Sequence, residues 1–155
     1  MDVSKLDHLL GDTSRIFLDS STTIAYHSTA EEVHPLARQV FRRIASDDDP
    51  LKGYMSVVSA AELLVRPIRS GAADLTFMHT FLRAFPNLQI LPIDLDVSLQ
   101  AANIRALTKL ALPDAFIIAS ATLAGCEAVV SNDEAWHKRL GQMFPAFRWI
   151  YLGGE

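Results

Sequence analysis

Residues 110–133 read LALPDAFIIASATLAGCEAVVSND. Pro113 suits a first helical turn, where its missing N–H costs nothing. The apolar run after it predicts a helix to about Ala124, with Gly125 as the stop. Glu127–Ser131 then reads as a strand, and Glu134–Gly141 as the next helix. Each helix start carries an acid: Asp114 in the first turn of one, Asp133 just ahead of the other.

The same grammar extends in both directions. Arg15–Asp19 reads as a short apolar strand ending on an acid, followed by a helix over Ser20–His27. Tyr54–Val58 predicts a strand, and Ser59 begins a helix whose third position is Glu62, a capping-box pattern. That helix is expected to end near Pro67. A short helix is expected around Val3–Leu10 in the lead-in. Pro35 opens another helix, with Leu36, Val40, Phe41 and Ile44 at helical spacing. It stops in Asp47-Asp48-Asp49-Pro50. A helix over Gly71–Phe85, a strand over Leu88–Ile93, a helix over Val97–Lys109 capped by Asp96, and a last strand over Phe147–Leu152 complete the chain. Strands alternating with helices indicate an α/β fold with a parallel sheet covered on both faces. In such sheets ligands bind beyond the carboxyl ends of the strands, where the strand order reverses.

Asp19, Glu62, Asp114 and Asp133 all fall near that edge. Each has a structural use of its own: Asp19 and Asp133 as caps, Glu62 as the partner of Ser59, Asp114 as an acid favoured by a helix N-terminus. Taken singly, the structural use is the commoner one. Together they are different, because convergent carboxylates repel one another unless a cation holds them. Asp19 also closes an apolar strand, where an unpaired carboxylate is costly to bury. Hard ions such as Mg²⁺ and Mn²⁺ prefer carboxylate and water oxygens. Two such ions about 4 Å apart suit phosphodiester cleavage. Without metal, mutual repulsion is expected to raise at least one carboxyl pKa.

The whole chain agrees with this reading. Its 155 residues suit one domain, half of them are hydrophobic, and the formal net charge is −4. That balance argues against a non-specific polyanion binder, yet the four acids account for the entire deficit. Cys126 is alone, which excludes a disulfide framework and a cysteine-based zinc site. The five histidines show no ligand spacing. No leader pattern and no membrane-length apolar run is visible, so a cytoplasmic protein without membrane contact is expected.

The segments IFLDSSTTIAYH, SVVSAAELLVRP and LALPDAFIIASATLAGCEAVVSND, in this order and spacing, resemble PIN-domain ribonucleases, most of all the VapC-type toxins of toxin–antitoxin pairs. The resemblance runs from about Arg15 to Leu152. It implies one PIN-like domain over residues 15–152 with an N-terminal extension over 1–14. The implied fold is an α/β/α sandwich around a mostly parallel, five-stranded twisted sheet. It implies an endoribonuclease dependent on one or two Mg²⁺ or Mn²⁺ ions, cutting structured RNA such as tRNA or rRNA by in-line attack of a metal-activated water. Asp19, Glu62 and Asp114 match the family's first three acids and Asp133 its more variable fourth. Ser21 and Ser131 match hydroxyl residues beside the site, with Asn132 in a supporting role. A protein antitoxin and a homodimer are implied as partners.

Candidate phosphate contacts are Arg66, Arg69, Lys52 and the run His137-Lys138-Arg139. Arg66 also lies four residues after Glu62, where an ion pair is the expected use. Trp136 and Tyr26 can stack on bases, although core packing is the commoner role. A haloacid-dehalogenase-type phosphatase would need a second acid two residues after Asp19, where Ser21 stands, and a receiver domain's paired acids are missing. An RNA-processing nuclease that is not a toxin, and a catalytically silent RNA- or protein-binding module, stay open as alternatives.

Overall fold

The computed structural model describes residues 1–154. Five strands form one sheet: β1 (Arg15–Leu18), β2 (Lys52–Ser56), β3 (Leu88–Leu91), β4 (Ala128–Ser131) and β5 (Arg148–Tyr151). Their order is β3-β2-β1-β4-β5, and every pairing is parallel. The chain first builds outward from β1 to β3, then returns to the other side of β1 for β4 and β5. The strand order therefore reverses between β1 and β4.

Both faces of the sheet are covered, and the two central strands show why their sequences lack an alternating polar pattern. Ile16 and Leu18 of β1 and Ala128 and Val130 of β4 join one core. That core is filled by α1 (Val3–Leu10), α2 (Ser20–His27), α3 (His34–Ala45), α4 (Val57–Ser70) and α5 (Ala72–Ala84). Phe17 and Val129, whose side chains alternate to the other face, meet Ile117 and Ala121. The helices on that side are α6 (Leu95–Thr108), α7 (Leu112–Leu123) and α8 (Glu134–Met143). Tyr26 lies in an aromatic cluster with Phe41, Phe81 and Phe85, so packing is its role.

Helix α1 occupies the expected Val3–Leu10 and contributes Leu6 and Leu10, both fully buried, to the first core. Other boundaries differ from expectation. Strand β2 ends at Ser56, and α4 starts at Val57 with Ser56 as its cap, the Val58 N–H donating to Ser56 Oγ at 3.2 Å. The Ser59–Glu62 capping box does not form, because Ser59 sits inside the helix and is buried. Two β-branched valines made the strand read two residues too long. Helix α4 also passes through Pro67 to Ser70. Burial of Pro67 in the core-facing stripe offsets the lost backbone hydrogen bond. Asp94, not Asp96, caps α6 by accepting the Val97 N–H at 2.9 Å. No helix among the described residues is long and apolar enough to cross a membrane.

Because Leu10 is buried and Leu107 is 86 % exposed, truncation at the two sites separates core from surface. Leu10→Ala should lower the unfolding free energy by about 2–5 kcal/mol, and Leu107→Ala by no more than about 0.5 kcal/mol. Urea denaturation followed by circular dichroism measures both. Equal, small losses would show that α1 is not part of the core.

Candidate active site

The reversal between β1 and β4 leaves a crevice at the carboxyl edge of the sheet, of about 260 Å³. Asp19, Glu62, Asp114 and Asp133 all line it, with Ser20, Ser21, Ile24, Ile117 and Trp136. Larger hollows exist, but the one between α2, α3 and α5, of about 710 Å³, contains no acid.

Asp19 follows β1 directly and caps α2. The residue is only 8 % exposed. The Ser21 N–H donates to Asp19 Oδ2 at 3.2 Å, the Ser21 hydroxyl at 2.6 Å and the Ser131 hydroxyl at 3.4 Å. These hydroxyls are themselves held. The Asn132 N–H donates to Ser21 Oγ at 2.8 Å, and the Asp133 N–H to Ser131 Oγ at 3.0 Å. The turn after β4 is thus laced to the carboxylate after β1 through two serines. Ser21, Ser131 and the backbone of Asn132 hold Asp19 in place; none of them is a cation. Burial pushes the Asp19 carboxyl above its ordinary value, and hydrogen bonds from Ser21, Ser20 and Ser131 offset only part of that rise. The expected upward shift therefore occurs, but desolvation rather than neighbouring charge causes it.

The other acids are held differently. Glu62 projects from α4 and accepts the Ser20 hydroxyl at 2.8 Å. It forms no ion pair with Arg66. Both are exposed, and at that spacing an ion pair gains little over solvation. Asp133 caps α8, accepting the Trp136 N–H at 2.9 Å. Asp114, in the first turn of α7, accepts the Trp136 indole Nε1–H at 2.9 Å and an Arg139 guanidinium N–H at 2.6 Å.

Ser20, Trp136 and Arg139 as partners of the acids were not read from the sequence. A signal for two of them exists: Asp133, Trp136 and Arg139 recur every three residues, so they share one face of α8. The remaining basic candidates scatter. Lys138 pairs with Glu134. Lys52 lies at the amino end of β2 and donates to Asn87 Oδ1 at 2.7 Å, so it belongs to the opposite edge of the sheet. Arg66 lines a groove of about 390 Å³ that shares Ile24 and Glu62 with the crevice. Arg69 is exposed one further turn along α4. Cys126 is buried with its thiol pushed up to about 12, which removes it as a nucleophile.

The donor set suits a hard cation: four carboxylates, no thiolate and no imidazole at the crevice. Among the described residues, no three acidic, histidine or cysteine side chains already converge on a single ion position. A magnesium-like ion keeps much of its water and takes few protein ligands directly. Asp19, Glu62, Asp114 and Asp133 are the residues that would hold it.

An acid with a raised folded pKa binds more protons folded than unfolded. The metal-free protein therefore loses stability as pH rises from the ordinary Asp value near 3.8 through the raised value. Asp19→Asn removes the buried charge and keeps an acceptor for Ser21. At pH 7 in EDTA it should melt at a higher temperature than the wild type, and added Mn²⁺ should raise only the wild type. An equal or lower melting temperature for Asp19→Asn would contradict the assignment.

Comparison with known proteins agrees with the fold. A PIN domain family model matches residues 16–141. No curated protein matches by sequence. Among solved structures, VapC20 of Mycobacterium tuberculosis, a sarcin–ricin loop cleaving toxin, superposes with a TM-score of 0.62 at 16 % identity, covering 80 % of this chain and 94 % of that one. A toxin–antitoxin complex from Klebsiella pneumoniae gives 0.62 at 18 % identity, covering 90 % and 99 %. VapBC2 of Rickettsia felis bound to a promoter DNA fragment gives 0.65 at 14 % identity, covering 88 % and 98 %. With an all-parallel five-stranded sheet and a family match over most of its length, this chain belongs to the PIN domain family.

Proposed function

We propose that this protein is a divalent-metal-dependent endoribonuclease, acting in the cytoplasm as the toxin of a toxin–antitoxin pair on structured RNA such as tRNA or rRNA. The observation that carries the reading is the meeting of Asp19, Glu62, Asp114 and Asp133 in one crevice. Structural likeness to VapC20 and to toxin–antitoxin complexes supports the toxin role and a protein antitoxin as partner. A homodimer is the proposed assembly.

In this scheme the chain's own residues do three things. Asp19, fixed by Ser21 and Ser131, supplies a carboxylate that cannot swing away. Glu62, Asp114 and Asp133 surround the same space from three other elements, so a scissile phosphate enters between them. Arg66, in the groove continuing from Glu62, is placed to meet a phosphate next along the strand. Mg²⁺ or Mn²⁺ bound by the acids would supply an activated water and charge to offset that developing on the phosphate. Lys138, already paired with Glu134, and Arg69 are peripheral contacts at most.

Purified protein should cut RNA with Mg²⁺ or Mn²⁺ and leave 5′-phosphate and 3′-hydroxyl ends. Asp19→Asn and Asp114→Asn should each lower the rate by about a hundredfold or more. Cleavage that persists in EDTA and in both variants would overturn the nuclease reading. Induced expression should arrest growth, with relief by a small neighbouring gene; a harmless product with no such neighbour would favour an RNA-processing role. Arg66→Ala should raise KM several-fold with kcat little changed, as expected for a contact made equally in ground and transition states.

A further inference from the structure

Asp114 is the one crevice acid whose two oxygens carry unlike partners. Oδ1 takes the indole N–H of Trp136, and Oδ2 takes one guanidinium N–H of Arg139. The two donors differ in how firmly they are held. Trp136 is partly buried and packs edge-on against Trp149, ring centroids 5.6 Å apart. Its N–H has a fixed direction and can only donate. The Arg139 side chain is 54 % exposed and touches the carboxylate through a single nitrogen. A half-exposed, single-contact pair is cheap to exchange.

Among the described residues Arg139 is also the one cation paired with a crevice acid. Through Asp114 it sets a positive charge beside a crevice whose lining includes four carboxylates and no cation. A divalent ion entering that space would compete for the same oxygen and repel the guanidinium. We propose that Arg139 is a tethered counter-cation that occupies Asp114 Oδ2 when no divalent ion is present and is displaced when one binds, while Trp136 keeps Asp114 in place throughout. This rests on the reading of Asp114 as a metal-holding acid. Arg139 is thereby a positioning residue that sets how tightly the crevice takes metal, and Asp114 is never left without a partner.

The test is Mn²⁺ binding by calorimetry to the wild type, Arg139→Gln, Arg139→Lys and Lys138→Gln, with no RNA present. Arg139→Gln should bind Mn²⁺ roughly three- to tenfold more tightly, because no pair has to be broken and a like charge is gone. Arg139→Lys keeps a displaceable cation and should return to within about twofold of the wild type. Lys138→Gln removes a neighbouring charge of the same helix that does not touch Asp114, and should also stay within about twofold. Unchanged or weaker binding by Arg139→Gln overturns the inference and leaves the metal reading standing. Equal tightening in Arg139→Gln and Lys138→Gln overturns it too, since bulk charge would then suffice. A wild type that binds no Mn²⁺ overturns both.

Discussion

Strands β1 and β4 lie side by side between two apolar layers, with residues 16–18 and 128–131 all buried. Much else in the molecule follows from that sandwiching. A strand buried on both faces has nowhere along its length to place a charge. Polar groups therefore emerge only where the strands end, and the ends of β1 and β4 meet at the one point where the strand order reverses. Asp19 and the Ser131–Asp133 turn are adjacent for this reason, although 112 residues separate Ser131 from Asp19. The two serine hydroxyls that join them are the first polar atoms available on leaving the core.

The four acids are not equivalent, and their surroundings set the order. Asp19 is almost fully buried and receives hydroxyl and amide donors but no cation, so its charge is the least compensated. Asp114 is mostly buried and has both an indole and a guanidinium. Glu62 and Asp133 are exposed and meet a serine hydroxyl and a helix N-terminus. Solvent screens those last two cheaply. An arriving cation would therefore gain most from Asp19, whose burial is maintained by the core beneath it at a cost in metal-free stability.

Much of this was legible beforehand. Helix α1 begins and ends where the lead-in pattern placed it, because Leu6 and Leu10 mark a core-facing stripe. Five strands, their parallel sense and the gathering of the four acids followed from alternation and the family resemblance. The structure departs from the sequence pattern where two local signals compete. Ser56 rather than Ser59, and Asp94 rather than Asp96, stands in extended backbone just ahead of its helix and so accepts a free first-turn N–H. Pro67 is a local stop signal, yet α4 continues through it to Ser70 with the proline buried. Lys52 is a phosphate candidate by charge alone, but it stands at the amino end of β2, away from the acids.

The sequence by itself determined the layer architecture, the identity of the acids and their placement at strand and helix ends, because these depend on periodicity and local chemistry. Only the tertiary structure decided who touches whom. Arg139 meets Asp114 rather than solvent, Ser20 rather than Arg66 meets Glu62, and two serines rather than a cation meet Asp19. Each of these contacts except that of Ser21 with Asp19 joins residues far apart in the chain, and their approach is set by how α4, α7 and α8 dock around the sheet edge. Burial and partnership are properties of that docking, so no local pattern encodes them.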